Sequence, residues 1–186
     1  MPFKLRWLLL VTSLALAAGC VSAPPGVAPP SDAAQRMNAV FERYWEESLK
    51  ANPERATFLG DPRYADRLTD NSPPARAARA EQLQRALTEV QAIPRDALAA
   101  QDKVSYDVFI YNLKREQRLE SFEGYRTMSL GSGGGFHGQL SGLLLATPVD
   151  READARNIFA RFDAYPLRID QEIARLRLGK AQGWVG

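Results

Sequence analysis

The sequence predicts an all-α protein, a bundle-like assembly of antiparallel helices with one short β segment near residues 125–130. Three observations carry this reading. Apolar residues recur at three- and four-residue steps along most of the chain from Met37 onward. Cap residues stand ahead of these stripes at Ser31, Asn52, Ser72 and Thr147. Proline and glycine fall between them, at Gly60, Pro62, Pro94, Pro148 and Gly179.

The first twenty residues read as an address: MPFKLRWLLLVTSLALAAGC. Lys4 and Arg6 make the start positive, and Trp7 to Ala18 is an apolar run of signal-peptide length, short for a membrane span. The small residues Ala17, Ala18 and Gly19 precede Cys20. This resembles a bacterial lipoprotein signal, in which the Cys is lipidated and becomes the new first residue; Leu16 stands one place earlier than the usual Leu. Cys20 is the only cysteine, so no intrachain disulfide can form. Stable anchoring needs more than one acyl chain, and the resemblance implies a triacylated Cys20. Val21, where Asp would imply inner-membrane retention, implies the periplasmic face of the outer membrane. Val21 to Pro30 (VSAPPGVAPP) makes an extended tether. The expected organisation is a signal peptide over 1–19, a lipid-anchored, proline-rich linker over 20–30, both without fixed structure, and a helical domain over 31–186.

Ser31 and Asp32 cap a first helix whose stripe is Met37, Val40, Phe41, Tyr44, Trp45 and Leu49. The stripe is read as core, with Trp45→Ala costing about 3–5 kcal/mol. Asn52-Pro53-Glu54 restarts a helix with Ala56 and Leu59 inward, and Gly60-Asp61-Pro62 stops it. Asp61, Asp66 and Asp70 are interleaved with Arg63 and Arg67, which favours turn capping and ion pairing over a metal site. Ser72-Pro73 opens a helix with Ala80, Leu83, Leu87 and Val90 inward, and Pro94 ends it. The next, Asp102 to Phe122, is read with Val104, Val108, Tyr111, Leu119 and Phe122 inward, Phe109 and Leu113 widening that face, and Lys114, Arg115, Glu116, Arg118 and Glu120 in water.

Gly131-Ser132-Gly133-Gly134-Gly135 lacks the Lys-Ser or Lys-Thr of a phosphate loop and reads as a hinge or a loop approaching a cleft. His137, the only histidine, has no motif partners, and Ser141 one turn on lacks a third group. A structural or solvent-facing His137 is the reading. Leu140 to Ala146 is a short apolar helix. Thr147-Pro148-Val149-Asp150 reads as a capping box opening a helix with Ala155, Ile158, Phe159 and Phe162 inward. Tyr165-Pro166 punctuates it, and a further helix through Leu167, Ile169, Ile173, Leu176 and Leu178 ends at Gly179.

Composition bounds the function classes. The chain has 186 residues, 45% hydrophobic and 25% charged, enough for one sizeable core. Its formal charge is +2, and residues 1–19 hold two bases and no acid, so the rest is near neutral. With no basic stripe, a nucleic-acid partner is not expected. No catalytic, cofactor-binding or metal-ligating set is assigned; the one site residue is Cys20, for lipidation.

Three pieces together are familiar: Phe41-x-x-Tyr44-Trp45 with Asn52-Pro53-Glu54-x-Ala56-Thr57-x-x-Gly60-Asp61; Leu68-Thr69-Asp70; and Thr147-Pro148 through Tyr165-Pro166-x-x-Ile169-Asp170 to Leu178-Gly179 and Gly183. They resemble the N-terminal part of the bacterial "domain of unknown function 885" family, across nearly all of residues 31–186. The resemblance implies a longer helical protein, secreted or lipid-anchored, whose later part carries a His-Glu-x-x-Pro-Gly-His type motif and a zinc-peptidase-like site. No residue of that site maps here, so the piece is expected to be inactive alone, with no cofactor of its own. Its expected partners are the membrane, through the anchor, and the missing C-terminal part. The alternative is a complete small helical lipoprotein acting as a periplasmic binding or scaffolding module.

Overall fold

The computed structural model describes residues 30–122, 124, 130–131 and 134–184. The signal, Cys20, most of the linker and Tyr125 to Ser129 lie outside the described residues. The fold is all-α, with six helices among the described residues: α1 (Asp32–Ala51), α2 (Pro53–Phe58), α3 (Pro73–Gln91), α4 (Ala100–Glu120), α5 (Phe136–Ala146) and α6 (Glu152–Ala181). Two-residue strands β1 (Leu130–Gly131) and β2 (Gly134–Gly135) pair antiparallel ahead of α5.

Three of the four caps read from the sequence hold. The side chains of Ser31, Asn52 and Ser72 accept from the backbone N–H of Ala34, Arg55 and Ala75. Gly60 takes φ of 79°, and its N–H and that of Asp61 reach back to Thr57 and Ala56 carbonyls at 3.0 and 2.8 Å. Gly183, with φ of 84°, closes α6 in the same way and carries Trp184 over Gly124, where an added Cβ would meet the indole at 2.9 Å. Trp184 is nonetheless exposed on its other side.

The core lies among α1, α3 and α4. Ala34, Met37 and Val40 of α1 meet Leu83, Ala86, Leu87 and Val90 of α3 and Tyr106 and Leu113 of α4. Phe41 and Tyr44 pack on Phe109, with ring centroids 4.2 and 5.6 Å apart. Trp45 corrects the sequence reading: it is 40% exposed. It lies at the stripe's edge under the Arg55 guanidinium, 5.2 Å from its ring, and not between helices. Leu59, at the end of α2, and Ala80, one turn ahead of the buried stretch of α3, are likewise exposed.

Only part of the expected face of α4 turns inward. Phe109 and Leu113 meet α1 and α3 as read, joined by Tyr106 and Ile110, while Val104, Val108, Tyr111 and Phe122 are exposed. Both stripes have helical spacing, and a three-helix core can cover only one of two nearly opposite faces.

Two boundaries also move. Thr147 closes α5 instead of opening the next helix: its hydroxyl donates to the Leu143 carbonyl at 2.7 Å. The following helix starts after Arg151, whose backbone N–H donates to the Asp154 carboxylate at 3.0 Å. That helix then runs unbroken through Pro166, and Gly179 lies buried inside its last turn. Pro166 and Phe162 are both exposed, so water can satisfy the one carbonyl that proline leaves without an N–H.

Candidate functional site

Helix α6 carries two seven-residue rhythms side by side. Asp154, Arg161, Arg168 and Arg175 recur every seven residues, interleaved with Ile158, Tyr165, Glu172 and Gly179. Every one of these is buried or half-buried. One residue round the helix, Ala155, Phe159, Phe162, Pro166, Ile169, Ile173 and Leu176 step alternately by four and three. Phe159 is 65% exposed, Phe162 44% and Ile173 37%. The expected inward placement of Phe159 and Phe162 is thus reversed: the charged seam is inside, and Phe159, Phe162, Pro166 and Ile173 of the apolar seam are outside, with Ala155, Ile169 and Leu176 half-buried. The backbone of α6 makes few close approaches to other elements. Long side chains hold it instead.

Arg161 is the first of these. It is fully buried. Its Nε donates to the Arg67 carbonyl at 3.0 Å, Nη1 to Thr147 Oγ1 at 3.2 Å, and Nη2 to Thr57 Oγ1 at 2.5 Å and the Tyr64 carbonyl at 3.4 Å. Thr57 and Thr147 spend their own hydroxyl hydrogens on the carbonyls of Pro53 and Leu143. Each oxygen is then left as an acceptor facing the guanidinium. Burial lowers the proton affinity of Arg161, and the charges of Glu54 and Asp66 oppose that shift.

The second is Glu172, also fully buried. Its carboxylate pairs with Arg168 and, at 3.0 Å, with Arg175, and it accepts from the Asn71 side-chain amide at 2.7 Å. Gln171 accepts from the Asn71 backbone N–H and donates to Asp70, both at 2.8 Å. From the other side Arg79 of α3 donates to the Asp70 carbonyl at 2.7 Å and to Asn71 Oδ1 at 3.1 Å. The Asp70-Asn71 corner is thereby clamped between α3 and α6. Beside it opens a cleft of about 330 Å³ lined by Arg76, Arg79, Arg168, Glu172 and Arg175, with Glu120, Phe136 and Gln139 at its walls.

The other sequence candidates fall apart spatially. Asp61 caps the 3-10 turn Pro62–Tyr64 by accepting from the Arg63 N–H at 3.0 Å, and Arg63 also reaches Glu46. Asp66 pairs with Arg67, and Asp70 accepts from the Ser72 N–H at 2.8 Å. They do the capping and pairing read from the sequence. His137 lies in the first turn of α5, with its side chain outside what is described, and Ser141 is exposed on the same helix. Among the described residues no three His, Cys, Asp or Glu side chains are grouped to hold a metal ion. Arg161 and Glu172 went unread in the sequence. The signal for Arg161 is the charged heptad 154-161-168-175, beside an apolar heptad that looks like the obvious core; Glu172 is marked only by its i+4 and i−3 spacing to Arg168 and Arg175.

The carboxylates give a pH dependence. Hydrogen bonds from the Arg63 guanidinium, from the Ser72 N–H and from the Arg151 guanidinium hold Asp61, Asp70 and Asp154 below the ordinary value of 3.8. A carboxylate depressed on folding stabilises above its unfolded value and loses that contribution as pH falls through the folded one. Thermal midpoints should be flat from about pH 7 to 5 and fall below about pH 4. Asp70→Asn should flatten part of the acid limb; a midpoint that rises on acidification would contradict the assignment.

Residues 53–186 match the family described as "Bacterial protein of unknown function (DUF885)". No curated protein matches the chain.

Proposed function

This chain belongs to the DUF885 family, and from that premise we propose that it is a lipid-anchored envelope protein whose helical body docks, through the outer seam of α6, on a helix of a metallopeptidase-like partner region. The exposed apolar heptad supports this reading. A 4-3 apolar repeat is the surface that another helix covers by knobs-into-holes packing, and a soluble chain rarely leaves such a stripe bare. On this reading a zinc ion would be held by the partner region.

The edge charges distinguish the partner from a second copy. Arg156, Asp163, Asp170 and Arg177 flank the seam. Antiparallel pairing of two copies would layer Phe159 with Leu176 and Phe162 with Ile173. That register sets Arg156 against Arg177 and Asp163 against Asp170, like against like. A heterologous helix with acids facing Arg156 and Arg177 and bases facing Asp163 and Asp170 matches better.

A designed helical peptide with a Leu seam and that reversed edge tests the docking. It should bind the chain at least about tenfold more tightly than the same peptide with its edge charges exchanged, a difference of about 1.4 kcal/mol. Phe159→Asp with Phe162→Asp should abolish binding without altering helix content. Equal binding of both peptides, or a dimer of the chain that the double variant dissolves, would overturn the reading.

The anchor is separable. Among the described residues no helix is long and apolar enough to cross a membrane, and the proposed attachment, at the periplasmic face of the outer membrane, rests on acyl chains at Cys20. Labelling with a palmitate analogue should be lost in Cys20→Ser; equal labelling of both proteins would remove the anchor from the proposal.

A further inference from the structure

Helix α4 turns a second face to water, and that face holds no acid. At about 3.6 residues per turn, Val104, Val108, Tyr111, Arg115 and Arg118 fall along one side of α4, opposite Tyr106 and Leu113, and Phe122 extends the line past the helix end. All six are exposed, Tyr111 by 67%. Lys114 stands beside them and is exposed too. No acid lies three or four residues from Lys114, Arg115 or Arg118, whereas Lys114 and Arg118 stand one turn apart, a like-charge spacing that costs a helix stability. Among the described residues none of these three bases has an ion-pair partner. The acids of α4 are engaged or face elsewhere. Asp102 is half-buried, Asp107 is held by Arg95 at 2.8 and 2.7 Å, and Glu120 lines the cleft beside Asp70-Asn71. Glu116 accepts from the Tyr44 hydroxyl at 3.1 Å, in a groove on the α1 side that Glu42 and Arg115 also border.

A face of apolar residues and bases does not match itself, because a second copy brings no carboxylate to it. An anionic lipid surface supplies both complements together: phosphates for the ends of the basic side chains, and acyl chains for the aliphatic and aromatic ones. Tyrosine suits that boundary, with an apolar ring and a polar tip. The tether leaves the body at one end of this same helix. The Ser31 hydroxyl donates to the Ala97 carbonyl at 3.5 Å, three residues ahead of the first residue of α4. The chain from Cys20 to Ser31 spans at most about 40 Å. Acyl chains at Cys20, on the anchoring proposed above, therefore keep the start of α4 within that distance of a bilayer. We propose that the outer face of α4 rests on an anionic phospholipid surface, with Val104, Val108, Tyr111 and Phe122 toward the acyl chains and Lys114, Arg115 and Arg118 among the phosphates.

The test uses the chain purified in detergent and reconstituted on vesicles of phosphatidylcholine, alone or with about 30% phosphatidylglycerol. A thiol-reactive fluorophore is placed at Val108→Cys and, as a control, at Leu145→Cys, 90% exposed on α5. With phosphatidylglycerol present, acrylamide in the water should quench the label at position 108 at least about threefold less than the control label. Arg115→Glu with Arg118→Glu should abolish that shielding and leave helix content unchanged, while the anchor still holds the chain to the vesicles. Equal quenching at the two positions, or shielding indifferent to the two reversals or to phosphatidylglycerol, would overturn the proposal. Shielding in the absence of vesicles would also overturn it, since a second copy would then be the cover. The anchor is scored separately. Lipidated Cys20 has no free thiol, so labelling of the parent chain, whose one cysteine is Cys20, would count against lipidation alone. The same comparison is then made in a Cys20→Ser background, where the two reversals should also lower the fraction of chain that floats with the anionic vesicles.

Discussion

Arg161→Met is expected to lower the unfolding free energy by about 3–5 kcal/mol, read as a shift of the urea midpoint. The guanidinium is fully buried and serves four acceptors on three separate pieces of chain. Methionine fills much of the volume but leaves the Arg67 and Tyr64 carbonyls and two threonine oxygens without their donor. Each buried acceptor stripped in this way costs about 1–3 kcal/mol before relaxation. Water and hydroxyl rotation recover part of the sum. Arg161→Lys keeps the charge and loses the planar fork, so its loss should fall between wild type and Met. Adding Thr57→Val and Thr147→Val to Arg161→Met removes two of the orphaned acceptors and should recover part of the deficit. An unchanged midpoint in Arg161→Met would mean that α6 is held by something other than this side chain.

The helices were legible because their ends are local chemistry. Ser31, Asn52 and Ser72 cap by reaching three residues along their own chain, and Gly60 and Gly183 close helices by adopting a φ that other residues avoid. None of this depends on what lies across the core. The inner faces are another matter. Helix α4 has two apolar stripes, and only the positions of α1 and α3 decide that Tyr106 and Leu113 go in while Val104 and Val108 stay out. In α6 the apolar rule points the wrong way: Phe159 and Phe162 look like core, and Arg161 between them looks like surface. An arginine is buried when carbonyls and hydroxyls from Thr57, Tyr64, Arg67 and Thr147 converge on it. Those residues lie 14 to 104 positions away in sequence. A seven-residue repeat of charge is the one local trace of that arrangement, and it becomes readable once the helix is known to pass through Pro166.

The inversion also explains how a helix with little close packing stays in place. Apolar burial holds α1, α3 and α4 together, whereas α6 is fastened at Arg161, at Glu172 and at the Gln171 contacts with the Asp70-Asn71 corner. Fastening by directional bonds fixes the rotation of α6 about its own axis. That rotation sets Arg168 and Arg175 toward the cleft and Phe159 and Phe162 toward water.

The Glu172 carboxylate is the point at which that orientation can be broken with the smallest change in shape. Glu172→Gln is nearly isosteric and keeps an acceptor for the Asn71 amide. It removes the negative charge that Arg168 and Arg175 share, both largely enclosed. Two guanidiniums then face each other in a site shielded from water, and the expected loss is about 3–5 kcal/mol, the range for breaking a buried ion pair from one side. Replacing all three residues with apolar ones of similar volume removes the desolvation cost with the attraction, so Arg168→Met, Glu172→Leu and Arg175→Met together should lose far less than Glu172→Gln alone. Urea unfolding of the two variants at pH 7 makes the comparison. A loss under about 1 kcal/mol in Glu172→Gln would place the pair in the class of exposed, screened ion pairs.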